Sequence, residues 1–133
     1  MLRKVVHTGP RRSVIVMDSL SQVEDADRDQ VVVAASNGGA ASGAAARRVG
    51  LGCVVLNDAG IGKDRAGIAG VVSLDDAGIP AVAVSHTSAE ISNGIDTWEN
   101  GVVSFVNGTA ARAGFAVGDR VRDAVMRFVE AGR

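Results

Sequence analysis

The stretch Gly52–Gly67, GCVVLNDAGIGKDRAG, combines an apolar run, a polar turn and a glycine-rich segment, and it decides the fold. Its first part, Cys53 to Leu56, is a short apolar run with two valines, which is typical of a strand buried on both faces. Asn57 and Asp58 place polar side chains where that strand should end. Glycines and the pair Lys63-Asp64 then lead into small and aliphatic residues. The stretch therefore predicts a strand, a polar loop and a helix.

Three other apolar runs extend this arrangement into a sheet. They cover residues 14–17, 30–35 and 81–84, and helical segments at about 40–49 and 65–77 separate the later ones. Gly50 and Gly78 stand at the helix ends, where glycine commonly closes a helix. Strands separated by single helices predict right-handed βαβ units. We therefore predict an α/β fold, a single three-layer domain over residues 1–133 with a mostly parallel sheet of four to five strands.

The two ends of the chain give weaker patterns. Residues 1–12 form either an edge strand or a mobile arm. The segment from Gly101 is either a strand with a turn or a helix interrupted at Gly108, and its apolar spacing favours the helix. Asp119 is a candidate N-cap for a final helix that runs to about Ala131.

Composition limits the partners and the compartment. Fourteen basic and fifteen acidic residues give a net charge of -1, so nothing favours binding to nucleic acid or to an anionic membrane. No apolar run approaches the ~20 residues of a membrane span, and no secretory signal opens the chain, so we expect a cytoplasmic protein. The one cysteine, Cys53, lies in an apolar run and is expected to be an inert buried thiol.

The polar segment 87–100 contains the only tryptophan, Trp98. A buried indole packs strongly, so we expect Trp98 to anchor this segment, either over the cleft as a lid or against a second subunit. Helices rich in Ala and Gly leave few large side chains to cover the sheet. This composition favours a homo-oligomer.

Each of the four apolar runs ends in a pair of polar residues. The pairs are Asp18 and Ser19, Ser36 and Asn37, Asn57 and Asp58, and Ser85 and His86. The carboxyl ends of parallel strands share one edge, where α/β proteins bind ligands. Polar residues also satisfy free backbone groups at strand ends without any ligand. Their recurrence after all four runs favours a site for a small polar molecule, with Asp18 at its border.

The turn Ser36-Asn37-Gly38-Gly39 precedes a helix and is a candidate anion site. Free N–H groups and the helix dipole at such a turn hold a carboxylate or a phosphate. The two glycines are also explained by a tight turn alone. The spacing matches neither a dinucleotide fingerprint nor a P-loop, so we predict no cofactor.

Three residues are candidates for proton transfer: Asp58, Lys63 and His86. A carboxylate near a lysine is often only a solvated pair, and a lone histidine is often structural. In a partly closed cleft, however, such groups act as general acids and bases. Asn57 is a candidate for orienting the substrate. Magnesium held by Asp18, Asp58 or Asp96 is a less favoured alternative, and we predict no metal.

Residues 14–86 resemble the small swivelling subunit of aconitase-X-type hydro-lyases. The resemblance rests on a strand ending in Asp-Ser, followed by VVVAASNGGAASG, VVLNDAG and IAGVVSLDDAGIPAVAV, and on Ser36, Gly39 and Ser42 in a turn between strand and helix. The chain departs from that family in NDAGIGKD and after His86. The resemblance implies that Ser36 lines a carboxylate-binding pocket. The whole chain also resembles a bacterial α/β family of uncharacterised function.

We therefore predict an enzyme or enzyme subunit, of the lyase or hydrolase type, that acts on a small polar metabolite bearing a carboxylate. Redox chemistry is disfavoured because the sequence has no nucleotide fingerprint and no cysteine pair. The alternative is a non-catalytic ligand-sensing or assembly domain whose polar edge binds a metabolite or a partner chain.

Overall fold

A computed structural model describes residues 1–132 and contains, over that range, a six-stranded sheet whose strand order follows the chain. Arg133, the last residue of the predicted domain, lies outside the described residues. The strands are β1 (Arg3–Thr8), β2 (Ser13–Met17), β3 (Val31–Asn37), β4 (Cys53–Asn57), β5 (Ala81–Val84) and β6 (Val103–Val106). Strands β2 to β5 are parallel, and β1 and β6 pair antiparallel at the two edges.

The mostly parallel α/β sheet is confirmed, but the predicted number of four to five strands is too low. All four predicted apolar runs are strands. The first of the additional strands, β1, corresponds to the edge-strand alternative for residues 1–12. The other, β6, lies where the apolar spacing favoured a helix. That spacing is misleading because β6 is an edge strand with only Val103 fully buried, so its sequence lacks a clear strand pattern.

The helices are α1 (Ala40–Val49), α2 (Ala69–Ser73), α3 (Gly94–Asn100), α4 (Gly108–Arg112) and α5 (Val121–Glu130). Gly50 closes α1 in the left-handed conformation, as predicted. The helix predicted over residues 65–77 is much shorter, because Asp64 and Arg65 adopt left-handed φ angles of 55° and 59° and a 3-10 turn precedes α2. The final helix is N-capped by Arg120 instead of Asp119.

The sheet has a different kind of cover on each side. Residues alternate along the strands, so Val14 and Val16 point to one side and Ile15 and Met17 to the other. The first side packs against α3 and α5 with Trp98, Phe115 and Phe128, and we name it the aromatic face. The second packs against α1 and α2 and we name it the glycine face.

On the glycine face, α1 and α2 touch through their backbones. A Cβ placed on Gly70 would lie 2.0 Å from the carbonyl oxygen of Gly39, and one on Gly43 would lie 2.6 Å from Cα of Gly70. The amide of Gly70 donates to the carbonyl of Gly38 at 2.8 Å. This contact fixes the start of α1 beside the loop that follows β4.

Trp98 anchors α3 to its own chain. Its side chain belongs to the core of the aromatic face, and the residue is 5% exposed. The guanidinium carbon of Arg122, on α5, lies 5.7 Å from the centre of the indole. Packing inside the chain thus accounts for the burial of the indole. None of the helices within residues 1–132 has the length and the apolar character that a membrane span requires.

Candidate functional site

The site is centred on Asp58, the residue that follows β4. It is 4% exposed, yet hydrogen bonds satisfy both of its carboxylate oxygens. Oδ1 accepts the amide of Gly60 at 2.8 Å and the amide of His86 at 3.1 Å. Oδ2 accepts the hydroxyl of Ser104, on β6, at 2.7 Å. Parallel β4 and β5 are neighbours, which brings Asp58 and His86 to one place on the carboxyl edge.

These hydrogen bonds keep Asp58 ionised despite its burial. Burial opposes the charged form, but donors on Gly60, Ser104 and His86 outweigh it and lower the pKa of Asp58. An ionised carboxylate only accepts hydrogen bonds. The ionised carboxylate of Asp58 therefore determines which ring nitrogen of His86 is the donor.

His86 lies beside Asp58 with 56% of its side chain exposed. Its Nδ1 is 3.3 Å from Oδ1 of Asp58, a long hydrogen bond in which Nδ1 is the donor. The ring packs over Gly60, where an added Cβ would lie 3.7 Å from Cε1. Because Nδ1 faces the carboxylate, Nε2 is the ring nitrogen left for proton transfer.

The loop between Asp58 and α2 is strained. Ala59, Ile61, Asp64 and Arg65 all have left-handed φ angles, between 50° and 64°. Each such residue costs on the order of 1–2 kcal/mol, and a β-branched residue such as Ile61 is a rare case. Strain of this kind is concentrated at functional sites, where the surrounding structure imposes it.

Asn57 holds this loop from inside. Predicted to orient a substrate, it is fully buried, and its Oδ1 accepts the amide of Ala59 at 2.9 Å. Its Nδ2 donates to the carbonyl of Ala89 at 3.0 Å. The structure thus gives Asn57 contacts with the protein backbone that shape the loop.

A cavity of about 420 Å³ opens at the ends of β2 and β3, and we name it the strand-end cavity. Four predicted or resemblance-derived residues line it: Asp18, Ser36, Asn37 and Ser42. Its other lining residues are Ser19, Leu20, Ser21, Ala35, Ala41, Ala45, Ile91 and Ser92. The first turn of α1 borders this cavity and receives no side-chain cap, so its N–H groups suit an anion.

The amides expected to bind the anion are not the ones available. Gly38 donates its amide to the carbonyl of Asn57 at 2.8 Å, and Gly39 donates to Oδ1 of Asn37 at 3.0 Å. The turn therefore uses both glycine N–H groups internally. Donors for a ligand come one residue later, from the uncapped turn that starts at Ala40.

The polar groups of the cavity wall are also partly engaged. Oγ of Ser36 accepts the amide of Leu20 at 2.8 Å. Asp18 accepts the amides of Gly94 at 2.8 Å and Leu2 at 2.6 Å, and these hydrogen bonds lower its pKa. Asp18 thus ties the first residues and α3 to the cavity wall.

A second cavity of about 380 Å³ joins the first to the strained loop. It shares Asn37 and Ile91 with the strand-end cavity, and Ala59, Ile61 and Gly62 form its far wall. Asp58 and His86 border neither of these two cavities. His86 instead packs on Gly60, in the same loop, so Asp58 and His86 lie next to the groove that the two cavities form.

The structure differs from the sequence-based prediction of the site at two residues, Lys63 and Ser104. Lys63 is exposed, and no ion pair joins it to Asp58 among the described residues. Ser104 holds Asp58 but was not a candidate. No local signal marks Ser104, because its contact depends on β6 pairing with β5.

Two further observations concern metal binding and the cysteine. Within residues 1–132, no group of three or more His, Cys, Asp or Glu side chains is placed to hold a metal ion. Oxygens of Asp96 accept hydrogen bonds from Glu90 and Asn100. Burial raises the pKa of the Cys53 thiol to about 12, against the opposing effect of the Arg12 charge, so Cys53 is not a nucleophile here.

Comparisons of the chain with family models, with curated proteins and with solved structures found no match.

Proposed function

We propose that the protein is an enzyme or enzyme subunit, of the lyase or hydrolase type, that performs acid–base chemistry on a small carboxylate-bearing metabolite. One observation carries the proposal. A buried, ionised Asp58 is hydrogen-bonded to the exposed ring of His86 at the carboxyl edge of a parallel sheet. A structural histidine needs no buried carboxylate held by three other donors.

The chemistry follows from the two ring nitrogens. Nε2 of His86 accepts a proton from the substrate or from a water molecule, and Nδ1 keeps its proton toward Asp58. The imidazolium that forms is stabilised by the adjacent carboxylate, as in other Asp–His pairs. In a lyase the proton comes from the carbon next to the carboxylate. In a hydrolase it comes from the attacking water.

The strand-end cavity supplies the proposed carboxylate site. Its donors are the N–H groups of the first turn of α1 and the hydroxyl group of Ser36, because the hydroxyl of Ser42, which also lines the cavity, donates to the carbonyl of Asn37 at 2.7 Å. The resemblance to aconitase-X-type hydro-lyases assigns the same role to Ser36. Lys63, on the loop beside the groove, is proposed to add a positive charge when the substrate binds.

A non-catalytic assembly or sensing role is the second candidate. Ile91 is 42% exposed and borders both cavities, so an apolar side chain lies in the middle of a polar groove. A partner chain or a second copy in a homo-oligomer would cover it. Light scattering over a range of concentrations tests this candidate, and a wild-type monomer whose state Ile91→Ser leaves unchanged contradicts it.

Deuterium exchange tests the catalytic proposal without knowledge of the substrate. The protein is incubated in D2O with small hydroxycarboxylates, unsaturated carboxylates and carboxylate esters, and proton NMR follows each mixture. Exchange, hydration or hydrolysis of at least one compound is expected. His86→Asn should slow that reaction by roughly 10²–10⁴-fold, the usual contribution of a general base.

His7→Asn is the matched control, since His7 is the chain's other histidine and lies on the edge strand β1. It should leave the rate unchanged. A wild-type protein that neither binds nor converts any compound of the panel contradicts the proposal, as does full activity in His86→Asn.

A further inference from the structure

The amino edge of the sheet, opposite the candidate site, contains a cavity of about 360 Å³ that is lined by three arginines: Arg11, Arg12 and Arg112. The other lining residues are Gly52, Gly78, Pro80, Thr109, Ala113 and Phe128, and none of them is acidic. We name it the arginine cavity. An adjoining cavity of about 320 Å³ shares Arg12, Gly52 and Gly78 and adds Arg47 and Asp29.

Arg12 is the unusual residue of this cavity. Its Nε is the one buried side-chain nitrogen or oxygen without a hydrogen-bond partner among the described residues. Its guanidinium carbon lies 5.6 Å from the centre of the Phe128 ring. None of the ion pairs in the described chain involves Arg12. Packing therefore holds this charge in place without a neutralising carboxylate.

Gly52 leaves the space that Arg12 occupies. A Cβ on Gly52 would lie 3.0 Å from Nε of Arg12 and 2.3 Å from the carbonyl oxygen of Asp29. The guanidinium thus lies against the backbone at the start of β4. A buried polar group without a partner requires an explanation, and the binding of an anion is one such explanation.

The neighbouring arginines contribute charge in different ways. Arg11 donates to the carbonyl of Gly132 at 2.7 Å, and within residues 1–132 no ion pair involves it. Arg112 is close enough to Asp75 to help lower the pKa of that carboxyl, behind the larger effect of hydrogen bonds from Thr109. Arg11 and Arg12 therefore both add positive charge to the cavity, and none of its described lining residues is acidic.

We propose that the arginine cavity binds a phosphate or pyrophosphate group. Like charges repel when they share a cavity, and a bound dianion would offset this repulsion. The forked guanidinium matches phosphate oxygens geometrically and forms charge-assisted hydrogen bonds with them. The cavity lies at the opposite edge from Asp58 and His86, so it is a site separate from the proposed acid–base centre.

Calorimetric titration with inorganic phosphate and with pyrophosphate, at constant ionic strength, tests the proposal. Saturable binding is expected, with pyrophosphate the tighter ligand because it carries more charge. Arg12→Gln should weaken binding by about tenfold or more, since it removes a charged hydrogen-bond donor. Arg48→Gln is the control, because Arg48 is exposed on α1 and lines neither cavity of the amino edge.

Two outcomes overturn the proposal: no saturable binding at millimolar phosphate or pyrophosphate, or equal losses in Arg12→Gln and Arg48→Gln. If Arg12→Gln does not fold, Arg11→Gln takes its place, and a several-fold loss is expected from it. His86→Asn should bind pyrophosphate as the wild type does. A loss of binding in that variant would place the anion at the other edge and overturn the proposal as well.

Discussion

The two faces of the sheet achieve close packing by opposite means. On the aromatic face, large side chains fill the space under α3 and α5, and the rings of Phe115 and Phe128 lie 5.4 Å apart. On the glycine face, α1 and α2 meet backbone to backbone at Gly43 and Gly70. Large side chains bury more apolar area and hence contribute more stability. Direct backbone contact positions the adjacent loops more rigidly, and both cavities of the carboxyl edge adjoin those loops.

The largest expected effect is on the aromatic face. Trp98→Ala should lower the free energy of unfolding by about 3–5 kcal/mol, because it leaves a cavity where a buried indole packed. Urea denaturation measures the change. The NMR signals of the His86 ring should not shift, because Trp98 packs on the face of the sheet opposite to the loop beside β4.

Val117→Ala is the control for this variant, because Val117 is 64% exposed. Its effect should stay within about 0.5 kcal/mol. Similar stability of the two variants would show that the aromatic face does not depend on the indole.

A substitution on the glycine face should lower the free energy of unfolding by less but affect the candidate site more. Gly70→Ala puts a methyl group into the carbonyl of Gly39, so α2 must move away from α1 at a cost of about 1–3 kcal/mol. Because α2 follows the strained loop directly, the His86 ring signals should shift. Denaturation and NMR on the same sample measure both effects.

Ala44→Ser provides the comparison, since Ala44 is exposed on α1. It should change neither stability nor the His86 signals appreciably. If Gly70→Ala leaves the His86 signals where they are, the glycine face does not position the site.

The last effect is expected at Asp58 itself. It is comparable in size to that of Gly70→Ala at neutral pH, but it becomes smaller in acid. At neutral pH, Asp58→Asn should lower the free energy of unfolding by about 1.5–3 kcal/mol, because the donors of Gly60, His86 and Ser104 then face a neutral amide instead of a carboxylate. The folded pKa of Asp58 lies below its ordinary value of 3.8, so its ionised form stabilises the protein above that value. This stabilisation is lost as the pH falls through the lowered pKa.

The stability difference between Asp58→Asn and the wild type should therefore narrow as the pH drops below about 4. Ser104→Ala keeps the carboxylate and removes one donor, so its cost should be near 1 kcal/mol. A difference that stays constant from neutral to acidic pH would mean that Asp58 is not held as an ionised group.

The sequence was sufficient for the parallel part of the fold and insufficient for its edges. Buried strands such as β4 are recognisable in the sequence as short apolar runs. Gly50 marks a helix end because glycine readily adopts the left-handed conformation. Strand β6 is half-exposed, so its residues carry no comparable pattern. The left-handed φ angles of Asp64 and Arg65 shorten the next helix. Asp adopts this conformation more often than most residues, but Arg does not, so two consecutive left-handed residues are not predicted from the sequence.

The candidate site was partly predictable for the same reason. Asp58 and His86 end neighbouring parallel strands, and neighbouring strand ends lie close together. Ser104 could not be predicted, because its hydrogen bond to Asp58 depends on the register between β5 and β6, and β6 was not predicted as a strand. Gly38 and Gly39 were expected to offer their amides, but hydrogen bonds to Asn57 and Asn37 take them up.

The strand order, which follows the chain from β1 to β6, has a consequence for how the protein is made. Each strand pairs only with a strand adjacent in the chain, so the sheet can grow by addition at one edge as the chain leaves the ribosome. The glycine face receives its helices during this growth. The aromatic face is covered only after α3 and α5, near the end of the chain, have been synthesised. Until they are synthesised, its valines stay open to water, and a nascent chain stalled after β5 would be a substrate for chaperones.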